Sequence, residues 1–113
     1  MKTIVAGSRH CFESAILERA LLRTSWEISE VVCGGARGAD NLGRTWAINH
    51  GIPVKMFPAD WEGLGKGAGF IRNQEMADYA QALILLWDGR SRGSWDMLIK
   101  IARQNKPFIA EFF

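Results

Sequence analysis

Glycine, arginine and a carboxylate recur together in this chain, in stretches that adjoin apolar runs. Gly7-Ser8-Arg9 follows one such run, and Gly34-Gly35-Ala36-Arg37-Gly38 with Asp40 follows a second. Asp88-Gly89-Arg90-Ser91-Arg92-Gly93 follows a third, while Asp60, Lys66 and Arg72-Asn73 lie between the second and the third. Arginine offers fixed cationic donors, and glycine lets backbone amides approach a ligand. A helix start adds partial positive charge, so the combination suits an anion, above all phosphate. The carboxylates of Asp40 and Asp88 are the candidates for holding ribose hydroxyls.

The glycine loop "VVCGGARGAD" is not a P-loop, because no Gly-Lys-Ser/Thr follows it. It also departs from the dinucleotide fingerprint GxGxxG, since Cys33 stands at the first glycine and the loop follows the second strand. Asp40 has two readings, a cap on the helix that opens there or a ribose acceptor. Trp61 and Lys66 are candidates for stacking on a base or closing a lid, whereas Trp87, which ends an apolar strand, reads as core. Cys11 and Cys33 make no CxxC pair and His10 and His50 have no ligand spacing, so neither a metal site nor a cofactor is expected. Cys33 reads as a buried structural thiol.

These residues need a scaffold that gathers them, and the rest of the pattern supplies one. "KTIVAG", "EVVCGG", "IPVKMFPAD", "ALILLWDG" and "PFIAEFF" read as strands. "FESAILERALLRT", "ADNLGRTWAINHG", "GFIRNQEMADYA" and "SWDMLIKIARQN" between them read as helices. Five strands alternating with four helices predict an α/β fold, a Rossmann-like three-layer domain with a five-stranded parallel sheet. The first, second and fourth strands are the most apolar and belong at the centre. Pro53, Pro58 and the short last strand mark edges, which gives the order 3-2-1-4-5. Ligands of such sheets bind outside the carboxyl ends of the strands, near the switch point. "ADWEGLGKGAG", eleven residues with four glycines, is expected to be a mobile loop.

The length of 113 residues fits a single domain over residues 1–113, and the net charge of +2 is too small to imply nucleic-acid binding by itself. Six of the fourteen basic residues nevertheless fall on the predicted carboxyl edge: Arg9, Arg37, Lys66, Arg72, Arg90 and Arg92. No membrane span or signal pattern is present, so the expected location is cytoplasmic, away from membranes. Five tryptophans and the apolar "FIAEFF" predict a homo-oligomer.

"GSR", "VVCGGARGAD", "IRNQEMADYA" and "WDGRSRGS", in that order, resemble the SLOG superfamily, which unites Smf/DprA with the Lonely Guy phosphoribohydrolases. The small YspA/YpsA-related SLOG proteins are the most similar branch, along nearly the whole chain. The resemblance implies a nucleotide or nucleotide-derived (ADP-ribose-like) ligand, bound by a sensor or by an enzyme of altered chemistry. It implies a pocket lined by Gly7, Ser8, Arg9, Gly34, Gly35, Arg37, Gly38, Asp40, Arg72, Asn73, Asp88, Ser91 and Gly93. In Lonely Guy enzymes the last motif ends in a glutamate that serves base release, and Met97 stands at that position here. Methionine moves no proton, so cleavage would require Asp88 or Asp40 instead. The likeness to DprA implies single-stranded nucleic acid as an alternative ligand.

Overall fold

The computed structural model describes residues 1–113, except the side chains of Trp61 and Lys66. The strands are β1 (Lys2–Gly7), β2 (Glu30–Cys33), β3 (Val54–Met56), β4 (Ala82–Trp87) and β5 (Phe108–Phe112). Between them run α1 (Ser14–Leu21), α2 (Ala39–Asn49), α3 (Trp61–Leu64), α4 (Ala68–Tyr79) and α5 (Arg92–Arg103). All neighbouring strands are parallel, in the order β3-β2-β1-β4-β5 that the sequence predicts.

The central strands are apolar throughout because both of their faces are covered. Successive side chains of a strand point to opposite faces, so the sheet splits its residues between two layers. Ile4, Ala6, Leu83 and Leu85 pack with Met76, Ala77, Met97 and Ile101 of α4 and α5. Val5, Val31, Ile84 and Leu86 pack with Ile16, Leu17 and Ala20 of α1 and Ala47 of α2. Truncating a fully buried residue such as Leu85 to alanine costs about 2–5 kcal/mol. The result is the three-layer Rossmann-like fold expected, with its edges where expected. β3 is only three residues long, bracketed by Pro53 and Pro58, which lack the amide a ladder needs.

One expectation is corrected. The stretch "ADWEGLGKGAG" is helical for most of its length: α3 passes through a 3-10 turn at Gly65–Gly67 directly into α4. Asp60 supplies the reason. One of its carboxylate oxygens accepts the Gly63 amide at 2.9 Å and its carbonyl accepts the Leu64 amide at 2.8 Å. A capping side chain stabilises a helix start by about 1 kcal/mol, enough to offset the cost of one glycine. The stacking and lid roles considered for Trp61 and Lys66 lie outside the described residues. Among the described residues, no helix is long and apolar enough to cross a membrane.

Candidate functional site

The loops after β1, β2 and β4 converge at the carboxyl edge, where β1 and β4 lie side by side while the chain leaves them in opposite directions. Such a switch point opens a crevice between the diverging loops. Ser8, buried, ties the three loops together. Its amide donates to the Leu86 carbonyl at 2.9 Å, and its Oγ accepts the Asp88 amide at 3.0 Å. Its own carbonyl accepts the amides of Cys11 and Ala39, each at 3.2 Å. Gly38, at φ 78°, completes the junction: a Cβ there would stand 2.5 Å from the Ser8 oxygen, so no side chain fits.

Asp40 is not the cap of α2. The cap position is Gly38, and the Asp40 carboxylate turns back onto the glycine loop. Its Oδ2 accepts the amides of Gly34 at 3.0 Å and Ala36 at 3.2 Å. Burial pushes its pKa above the ordinary carboxylate value, against the pull of the two amides and of Arg72 and Arg9. Glycines in this loop could bare their amides to a ligand, but that of Gly34 is committed to Asp40. Gly34 serves a different purpose, since a Cβ there would lie 1.8 Å from Nη1 of Arg72. The absent side chain makes room for a guanidinium.

Arg72 is held from two sides. Its Nη1 donates to the Gly34 carbonyl at 2.9 Å and its Nε to Oδ1 of Asn73 at 3.2 Å. The buried Asn73 in turn donates from Nδ2 to Oδ2 of Asp96 at 3.0 Å and to the Gly93 carbonyl at 3.2 Å. Lys100 closes the chain, donating from Nζ to Oδ2 of Asp96 at 2.6 Å and to the Phe70 carbonyl at 2.9 Å. Asp96 therefore faces Asn73 and Lys100, and only its neighbour Met97 borders the crevice. A relay of side chains thus runs from α5 through α4 to the glycine loop.

The start of α5 is shaped by its own loop. Oδ1 of Asp88 accepts the amides of Arg90 at 2.9 Å and Ser91 at 3.0 Å. These two amides hold the Asp88 carboxyl below its ordinary pKa, so it is ionised at neutral pH. Ser91 caps the helix, its Oγ accepting the Ser94 amide at 3.4 Å.

Two adjoining cavities result. The first, about 450 Å³, is bordered by Gly7, Arg9, Asp40, Arg72, Asn73, Asp88, Ser91 and Gly93 from the expected set. The second, about 440 Å³, is bordered by Gly34, Gly35 and Arg37, and again by Arg9 and Arg72. Ser8, Gly38 and Gly89 border neither; the first two shape the walls from behind. Sequence reasoning missed His10, Ala36, Met76, Ser94 and Met56 as wall residues. His10 directly follows "GSR" at the switch point, a position that already marked it. Nothing in the pattern distinguished the two methionines that reach the site from helix and strand interiors.

The electrostatics are lopsided. Among the described residues the ion pairs are Arg19 and Arg23 with Glu111, and Lys100 with Asp96. None involves Arg9, Arg37, Arg72, Arg90 or Arg92. Asp40 and Asp88 are both engaged by backbone amides, and Arg9 and Arg72 attract Asp40 without closing to a salt bridge.

Sheet order, switch-point crevice and an arginine-rich carboxyl edge define a Rossmann-like protein. The family model described as "YspA, cpYpsA-related SLOG family" matches residues 1–63. The "Gene 61 protein" of Mycobacterium phage D29 is 35% identical over 85 residues, a match spanning 70% of this chain and 68% of that protein. The chain belongs to the YspA, cpYpsA-related SLOG family. Its fold is similar to that of DNA processing protein A (DprA) from Streptococcus pneumoniae, with a TM-score of 0.73 at 19% identity. That likeness covers 96% of this chain and 49% of the DprA chain, so this chain spans about half of DprA's length.

Proposed function

We propose that the protein binds a nucleotide or nucleotide-derived phosphate ligand in the crevice between the β1 and β4 loops. One observation carries this reading: Arg9 and Arg72 both border the crevice and neither forms a salt bridge, their carboxylate neighbour being the buried Asp40, which two backbone amides also engage. An anion entering there meets two guanidinium groups with no salt bridge to break. The α5 start adds the orphan amides that every helix N-terminus leaves, beyond the one that Ser91 caps. Gly93 at that start has open space where a side chain would be, so a ligand can approach the backbone.

A role in base release is disfavoured by the same geometry. Asp88, the better-placed carboxylate, is ionised at neutral pH and cannot donate a proton to a leaving base. The wall at the position of the Lonely Guy glutamate is the buried thioether of Met97. Binding without Lonely Guy-type cleavage is therefore the reading supported, as a sensor or as an enzyme of other chemistry. Single-stranded nucleic acid is the second reading, favoured by the exposed Trp95, which stacks on Trp87 and lies three residues beyond Arg92. A strand binder loses affinity steeply with salt, with a slope set by the phosphates it neutralises, whereas a single nucleotide does not.

The direct test is calorimetric titration of AMP, GMP, CMP and UMP into wild type and Arg9→Ala. Arg9 is exposed and carries no internal ion pair, so its loss leaves the fold intact. A charge-assisted contact is worth about 1.5–3 kcal/mol, so affinity for the preferred nucleotide falls at least about tenfold. Equal affinity in Arg9→Ala would move the ligand elsewhere.

A further inference from the structure

The amino edge of the sheet, opposite the crevice, carries a cavity of its own, of about 370 Å³. It lies where α1 and α2 end and where the chain enters β2 and β3, and Leu21, Ile28 and Ile52 line it with apolar surface. Trp26 and Trp46, both half-buried, border it as well. Trp26 spends its only donor on the fold, from Nε1 to Oγ1 of Thr3 at 3.0 Å. Trp46 is held by stacking on His50, with ring centres 4.8 Å apart. Thr24, the neutral polar side chain of the border, donates its hydroxyl to the Leu21 carbonyl at 2.8 Å. Glu27 is the charged one, and its exposed carboxylate forms no ion pair among the described residues. The Met1 ammonium is bound by the Glu27 carbonyl instead, at 2.6 Å. Helix C-termini carry partial negative charge, and both α1 and α2 end here. Arg19, in the last turn of α1, is answered by Glu111, and the last turn of α2 holds no basic residue.

We infer that this cavity is a second ligand site, for a free organic cation: an alkylammonium or quaternary ammonium whose apolar body meets the indoles and whose charge meets Glu27. A carboxylate without an ion pair, two helix C-termini and two indole rings all favour a cation there, and none of them favours phosphate. An ammonium group is drawn to an indole by the ring quadrupole, most strongly where water is excluded. The apolar walls add the burial of its alkyl groups. An inorganic cation does not suit the site. No group of three or more His, Cys, Asp or Glu side chains that could hold a metal exists among the described residues, so Glu27 alone would have to replace a hydration shell. A neutral apolar ligand would leave the carboxylate and the helix ends unused. The volume falls within the range of small-ligand cavities. Ends of the sheet opposite in charge preference would thus serve ligands of opposite sign.

The test titrates choline and 3,3-dimethylbutanol, its uncharged carbon isostere, into isotope-labelled protein and follows the indole Nε1–H signals. Those of Trp26 and Trp46 shift and saturate with choline. Those of Trp87, which ends β4, and Trp95, in the first turn of α5, stay in place because they belong to the carboxyl end of the sheet. Cation–π attraction and the carboxylate together make choline bind at least about fivefold tighter than the isostere. Glu27 is exposed and its side chain makes no ion pair, so Glu27→Gln keeps the fold while choline affinity drops several-fold. Equal affinity for choline and its isostere, unchanged choline affinity in Glu27→Gln, or no saturable shift of the Trp26 and Trp46 signals would each overturn the inference. A trimethyllysine peptide that binds far more tightly than choline would overturn the free ligand in favour of an ammonium group carried by another protein.

Discussion

Asp40 and Asp88 are driven in opposite directions by their surroundings. Asp88 is held ionised by two exposed-loop amides, and Asp40 is pushed toward its neutral form by burial. Base release from nucleoside monophosphates is therefore not expected, and ligand binding persists in Asp88→Asn. Chromatography of nucleotides incubated with the protein checks this: robust base release, lost in Asp88→Asn, would make Asp88 catalytic after all. For Asp40 the sign of the pH effect follows from the raised folded-state pKa. Its contribution to stability is full below the ordinary value of 3.8 and declines as pH rises through the raised value. Asp40→Asn does not titrate there, so melting temperatures of wild type minus Asp40→Asn fall from acid toward neutral pH. A difference that is flat or rises over that range would contradict the burial of a costly carboxylate. Cys11 and Cys33 are both buried with raised pKa, so a thiol reagent reaches neither until the protein unfolds.

Strands and helices were legible because each buries a face with its own period. The apolar runs of β1, β2 and β4 announced a sheet covered on both sides, and Pro53 and Pro58 announced an edge. What the pattern hid was long-range. Asp40 sits at a position where a carboxylate ordinarily caps a helix, and only the fold shows it answering the amides of a loop upstream. α3 was hidden by glycine density, although Asp60 carries the capping signal. The glycine and arginine residues that border the crevice were nameable, because glycine and arginine clustered at strand ends stand out by residue type. The second cavity was not, because Met56, Pro58 and Ala59 are residues that position alone brings to its border. Gly43 belongs with these: a Cβ there would fall 2.5 Å from Cβ of Val5, so α2 lies on β1 only through its absence. Gly43→Ala overpacks this contact at a cost of about 1–3 kcal/mol. Chemical denaturation reads that cost directly, and unchanged stability would contradict the close approach. The relay of Lys100, Asp96 and Asn73 makes a separate demand. Lys100→Met loosens Arg72 without touching the ligand, so nucleotide affinity drops several-fold and Lys100→Arg recovers part of it.

The sheet and its two helical layers leave an aromatic group uncovered beside β5. Trp87, half-buried, stacks on Trp95 with ring centres 5.8 Å apart and meets Phe112 at 5.7 Å. Trp95 and Phe112 are more than half exposed, at 52% and 59%. Apolar surface of this kind at an edge strand favours association between chains, and sedimentation at micromolar concentration is expected to show a species larger than the monomer. A monomer at all concentrations would assign these rings another role. The crevice itself is examined most directly by amide chemical shifts in isotope-labelled protein as the tightest-binding nucleotide is added. The amides of Arg9, Ala36, Arg37 and Ser91 through Ser94, with the Arg72 side-chain Nε–H, should move together and saturate at one equivalent. Shifts confined to the Trp95 and Phe112 face, with those crevice amides unmoved, would contradict nucleotide binding at the carboxyl edge.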